Sequence, residues 1–350
     1  MNTPTHKTQK LAFVQYLRAI AVIAVVVDHA AGMAAFNKYF GIKVFNGFLY
    51  HGSIGVDLFF VISGFIITLV ALDKDLQPKL SAKLFLLKRA ARIIPLMWIS
   101  IISYAVLRSF SNGYFPFYEY VTAFFLLPYG DVDPNNIWTL RHEYLFYIFF
   151  ALSMIVRKMT SWILIIWFSL PVAYTIILGE IDIPFLRVIA SPVNIEFCFG
   201  FIIGILYIKG KITETNFKYF PIITISICYF ILVMYLVHNY HLEKKLLINK
   251  LIIGLLVSVL LIIALKVSQT GLAISKIFFF LGEASFSIYL FHLHFESASL
   301  GLLKRINPTL DIFIVIIITS LVSTFACIII YLTLEKYLVR TCTYYIEKLA

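Results

Sequence analysis

The chain has 350 residues, 61% of them hydrophobic and only 13% charged, with a mean hydropathy of +0.93, a composition that excludes an ordinary soluble globular protein. Its 29 basic and 18 acidic residues give a net charge of +11, but the basic residues sit in short connections between apolar runs, which points to membrane topology and away from nucleic acid. Cys198, Cys228, Cys327 and Cys342 have no metal-ligand spacing and three lie in apolar runs, so neither a metal site nor a disulfide framework is expected.

Apolar runs of about 20 residues recur along the whole length, enough for each to cross a bilayer as a helix. Ten are predicted, over 11–33, 52–72, 88–108, 138–156, 161–178, 194–208, 219–238, 250–267, 276–300 and 311–335, with a shorter run at 118–127 assigned to the interface. No polar stretch is long enough to fold alone, so residues 1–350 are read as one transmembrane domain without a soluble domain. The run after Lys10 is too long for a signal peptide and has no small-residue cleavage pattern, so no cleavable leader is expected. Eighteen of the 29 Lys and Arg residues fall on inner segments if the N-terminus is inside; nine, Lys250 among them, fall on outer segments, and Arg18 and Arg141 lie within spans. This bias predicts an all-α polytopic membrane protein, a bundle of about ten helices with both termini inside.

The first span carries Arg18 and His29, eleven residues apart. At roughly 100° per residue this spacing returns to within about 20°, so both side chains share one stripe, about 16 Å apart along the axis. An ionisable group at bilayer depth costs on the order of 3 kcal/mol, which makes each a functional candidate. In the second span Asp57 lies near the outer face, either as a site residue or as a helix-start group, and Ser63 and Gly64 mark a hydrogen-bonded or flexible point deeper in. The third span opens with Arg89 and Arg92, three apart on one face, either a guanidinium fork for phosphate or ordinary inner-face charge. The fourth begins Trp138, Thr139, Leu140, Arg141, His142, Glu143, with Glu143 deepest among the titratable groups. Gly200 and Gly204 form a small-xxx-small pair expected to mark close helix packing. In the ninth span Ser285, Tyr289, His292 and Glu296 recur at i, i+4, i+7 and i+11, a polar face that must look at protein or water.

Together these segments resemble the acyltransferase-3 family of integral membrane acyltransferases, especially its exopolysaccharide and O-antigen O-acetyltransferase branch. The resemblance rests on the R-x10-H pair of Arg18 and His29, GVDLFFVISGF from Gly55 to Phe65, the R-x-x-R pair of Arg89 and Arg92, WTLRHE from Trp138 to Glu143, and SFSIYLFH from Ser285 to His292. It implies a ten-helix enzyme of the bacterial inner membrane that takes an acetyl or similar acyl group from cytoplasmic acyl-CoA, with acetyl-CoA as donor and no metal. The acceptor it implies is a hydroxyl of a glycan or lipid-linked oligosaccharide. Arg18 and His29 are implied to be essential, and Arg89 and Arg92 to serve the CoA end. The chain reads His292, Leu293, His294 where many relatives have His-Trp-Pro, and it ends soon after the last span.

A sugar hydroxyl needs a positioned base, and an imidazole is suited to that task. The expected catalytic group is therefore His29, either as the base or as a covalently acylated intermediate, with Glu143 or Asp28 orienting its ring, and Arg18, Arg89 and Arg92 on the CoA. Asp57, Trp138, Ser285, Tyr289 and His292 are assigned to the acceptor or oxyanion side. The rival reading is a polysaccharide-related transporter or flippase, since intramembrane charges also mark substrate pathways, but no correspondence between two halves of the chain supports it.

Overall fold

A computed structural model describes residues 12–110, 115–155, 160–178, 183–212, 222–242, 246–267 and 276–349. The predicted span starts at 11 and 219, the predicted end at 156, and Lys10 lie outside these residues. All ten predicted apolar segments are helical. They correspond to α1 (Ala12–Ala34), α2 (Ile54–Ala71), α3 (Ala82–Ser109), α5 (Ile137–Ile155), α6 (Thr160–Ala173), α8 (Asn194–Ile208), α9 (Ile222–Asn239), α10 (Leu247–Val267), α11 (Lys276–Ile306) and α12 (Ile312–Ile330). The short eleventh run forms α4 (Phe117–Phe124), and two α-helices and a 3-10 helix (Phe45–His51) appear that the apolar pattern does not predict, the α-helices being α7 (Pro184–Ile189) and a C-terminal one, α13 (Lys336–Leu349). Among the described residues there is no β-strand, only an isolated bridge between Leu72 and Pro78.

Seven helical segments are long and apolar enough to cross a membrane, consistent with a multi-pass membrane protein. The segments containing α6 and α9 are apolar but shorter, and α5 is made less apolar by Arg141, His142 and Glu143. The outward faces carry large apolar side chains such as Ile176, Phe325 and Leu321, as lipid-facing surfaces require.

Three boundaries differ from expectation. Helix α3 starts at Ala82, six residues before the apolar run, because Ser81 Oγ accepts from the backbone N–H of Leu84 (3.2 Å) and caps it. Helix α11 extends past 300 to Ile306. The last span also does not end its helix at 335: α12 continues through a π turn at Tyr331–Glu335 into α13.

Two close approaches hold the centre of the bundle together. A Cβ on Gly200 would lie 2.0 Å from the Val61 carbonyl oxygen, and one on Gly64 would lie 2.3 Å from that of Phe197. The pair therefore lets the α2 and α8 backbones touch, as the small-xxx-small spacing predicts. Gly64 is accordingly a packing point in an unbroken helix rather than a flexible one. A Cβ on Gly282 would lie 2.0 Å from the Gln15 carbonyl oxygen, so α11 lies as tightly against α1. Helices α5, α6 and α8 are joined by aromatic stacking, with Phe146 4.7 Å from Phe197 and Phe149 4.9 Å from Trp167.

Candidate active site

The tight contacts among α1, α2 and α11 leave a cavity of about 280 Å³ on one side of α1, closed by α3 and α5. Arg18, Arg89 and Arg92 line it together with Glu143, Ser285 and Tyr289. Segments far apart in the chain are thus brought to one space. Three guanidinium groups face one carboxylate there, and no ion pair within 4.0 Å joins either partner to a carboxylate or cation among the described residues.

Each cavity group is held differently. Arg18 Nη1 donates to Gln15 Oε1 (3.2 Å), one turn back on the same helix. The Arg89 guanidinium lies over the rings of Phe85 (5.8 Å) and Tyr147 (6.0 Å), a cation–π setting that orients it without neutralising it. Glu143 accepts from Ser63 Oγ (3.0 Å) and from the Tyr147 hydroxyl. Ser63 is thus the hydrogen-bonded point expected in the second span, and Tyr147 is a cavity residue that sequence reasoning missed, although its i, i+4 spacing from Glu143 was an available signal.

At the far end of the cavity Tyr289 is already committed. Its hydroxyl donates to the Asn136 carbonyl (3.1 Å) and shares a hydrogen bond with Thr139 Oγ1 (2.8 Å). Ser285 Oγ is buried, faces the cavity and has no hydrogen-bond partner.

One helical turn beyond Tyr289, the His292 and His29 rings meet edge to face with centroids 4.9 Å apart. His29 Nδ1 donates to the Val25 carbonyl (2.9 Å), and His292 Nδ1 donates to the carbonyls of Tyr289 (2.8 Å) and Ile288 (3.1 Å). Both rings are thereby held in the tautomer that leaves Nε2 with a lone pair. His292 is fully buried, whereas His29 keeps partial access. The histidine pair is not among the residues that line the arginine cavity; Tyr289, which does line it, lies with its ring 5.9 Å from that of His292.

The ring-orienting role expected of Glu143 or Asp28 is corrected: Val25 holds His29, because a helical His at this register reaches its own i−4 carbonyl first. Glu143 belongs to the cavity network, and Asp28 lies against the backbone of Ser53. Asp57 is likewise absent from the cavity. It pairs with Lys250, which also lies 3.5 Å from Glu196 Oε1. All three are buried, so Lys250 is an internal ion-pair partner and not the outer-face charge assumed in the topology count. Trp138 packs on Phe60 (6.1 Å) and His142 (5.6 Å), away from the cavity lining. His294, the departure from His-Trp-Pro, lies with Nε2 3.1 Å from both Ser103 Oγ and the Ser100 carbonyl, tying α11 to α3.

Against known families, residues 11–332 match the acyltransferase-3 family, described as an acyltransferase domain. The chain belongs to this family of acyltransferases. It is 29% identical over 308 residues to the exopolysaccharide production protein ExoZ of Rhizobium meliloti (strain 1021), covering 83% of this chain and 90% of that protein. No solved structure matches the chain. The family match spans every motif on which the sequence resemblance rests, from Arg18 to His292.

Proposed function

We propose that this acyltransferase is a multi-pass enzyme of the bacterial inner membrane that moves an acetyl group from cytoplasmic acetyl-CoA to a hydroxyl of an exopolysaccharide or lipid-linked sugar. In this reading ten helices cross the membrane and both termini are cytoplasmic. The observation that carries it is a cavity lined by three arginines and by Tyr289, whose ring lies 5.9 Å from that of His292, the partner of His29 in an edge-to-face pair. Arginines suit the phosphates of CoA, and an imidazole suits the proton of a sugar hydroxyl. The exopolysaccharide assignment is supported by the name of the Rhizobium relative.

His29 is the assigned base, since it is the accessible member of the pair. Its Nε2 takes the hydroxyl proton as the sugar oxygen bonds to the thioester carbon. The resulting oxyanion accepts from Ser285 Oγ–H, the uncommitted donor at that end of the cavity, whereas the Tyr289 proton is already used. Collapse breaks the carbon–sulfur bond, and the CoA thiolate takes the proton from the His29 imidazolium. His292 stands behind His29 and positions it. Glu143, with Ser63 and Tyr147, supplies the negative charge that keeps the arginines directed into an otherwise apolar space.

The test is to reconstitute purified protein with labelled acetyl-CoA and a lipid-linked oligosaccharide and to follow label into glycan. His29→Ala is expected to lower transfer by about 100-fold or more at equal protein. Wild-type rates in that variant would remove His29 from the chemistry, and glycan moved across the bilayer without acetylation would replace the enzyme reading with a transporter.

A further inference from the structure

A second, larger space adjoins the first. It has a volume of about 610 Å³ and is walled by α13, the helix that the apolar pattern does not predict. Gln15, Arg18 and Arg92 line both spaces, so the two are continuous through those side chains. On α13 the lining residues include Lys336, Arg340, Tyr344 and Glu347, at i, i+4, i+8 and i+11, which makes one stripe of the helix face the opening.

The charges of this wall are unequal in their engagement. Glu347 pairs with Lys88 (3.2 Å), Glu335 accepts from Ser287 Oγ (2.5 Å), and Glu283 is reached by the Tyr331 hydroxyl (3.5 Å). Lys336 rests over the Tyr331 ring (4.8 Å). Arg92 on one side and Arg340 on the other have no carboxylate within 4.0 Å among the described residues. Two guanidinium groups from different helices thus line one open space of ligand-binding size, with an ammonium group one turn from Arg340 and the exposed Tyr344 ring in the same lining. Guanidinium groups are matched to phosphate by planarity and by donors that fork onto two oxygens.

We propose that the basic stripe of α13, Lys336 and Arg340, closes with Arg92 on the 3′-phosphate end of the acyl-CoA nucleotide. This rests on the acyl-CoA reading given above. A donor held there directs its thioester arm past Arg18 into the first cavity, and the nucleotide stays at the mouth. The π turn at Tyr331–Glu335 sets the rotation of α13, and so decides which of its faces meets the opening.

The test compares acetyl-CoA with acetyl-dephospho-CoA, which lacks only the 3′-phosphate, using purified full-length protein in nanodiscs of neutral lipid. Wild type is expected to show a KM about ten-fold lower for acetyl-CoA. The double variant Lys336→Gln/Arg340→Gln is expected to raise the KM for acetyl-CoA about ten-fold more than that for acetyl-dephospho-CoA, erasing the preference. A wild-type enzyme indifferent to the 3′-phosphate overturns the assignment with no variant needed. So does a double variant that raises both KM values alike, or one whose defect appears only when anionic lipid is added, which would make the stripe a lipid-headgroup contact. Absence of any transfer from acetyl-CoA in wild type defeats the donor reading itself, whereas transfer without 3′-phosphate preference defeats only this inference.

Discussion

The arginine cavity and the Asp57–Lys250–Glu196 group both place charge inside an apolar bundle, yet the charges of the first line a cavity and those of the second are buried in direct ion pairs. In the sealed group Glu196 is 0% exposed and Asp57 5%, and the buried lysine between them is engaged by both carboxylates. Its charges can only stabilise one another. In the cavity three guanidinium groups share Glu143 without a direct ion pair, so an anion entering there meets positive potential that the protein leaves uncancelled. Intramembrane charge therefore signals function where it is accessible and cohesion where it is enclosed, and the two cannot be told apart by residue type.

Substitutions should separate the two clusters sharply. Lys250→Ala leaves two carboxylates buried without a cation, and is expected to cost about 3–5 kcal/mol of stability, read as loss of monodisperse protein after detergent extraction. Arg18→Ala should extract and melt like wild type but lower acetyl transfer by about 100-fold, because the cavity already provides room for the missing group. If Arg18→Ala lost the fold while Lys250→Ala extracted normally, the division between the clusters would be reversed.

A smaller effect tests the scaffold that keeps both clusters in register. Gly200→Ala forces a methyl group toward the Val61 carbonyl oxygen, at 2.0 Å before relaxation, and is expected to cost about 1–3 kcal/mol, read as a lower melting temperature. The smallest belongs to the Glu143 network. Tyr147→Phe removes one hydroxyl donor from that carboxylate, and should change stability by about 1 kcal/mol and raise the KM for donor less than ten-fold, with kcat little altered. A large loss of kcat in Tyr147→Phe would instead put that hydroxyl against the reacting atoms.

Much of this protein was legible in its residue order. All ten apolar runs are helices, because a run of that length satisfies its backbone hydrogen bonds only within itself. Arg18, Arg89, Arg92, Glu143, Ser285 and Tyr289, each singled out as a polar group in an apolar run, do line a cavity, though the sequence divided them between a donor and an acceptor side; the Gly200 contact lies where its spacing points. Residues that act through a local period, such as the stripe of α11, are readable because the helix repeat alone decides their direction.

What the linear pattern left open is who partners whom across helices. Asp57 and Lys250 are 193 positions apart, and nothing local shows that the lysine turns inward to the carboxylate instead of outward to water. His29 turns to its own helix carbonyl and meets His292, while Glu143, expected to orient the His29 ring, joins Ser63 and Tyr147. The amphipathic α13 escapes an apolar search altogether, since its polar stripe matters only once α1 and α3 bring Arg18 and Arg92 opposite it. Periodicity sets each helix and its faces; the choice of neighbour, and with it which charges are sealed and which are left open, is made by the packing of backbones at Gly64, Gly200 and Gly282, where the absence of a side chain sets how closely helices approach.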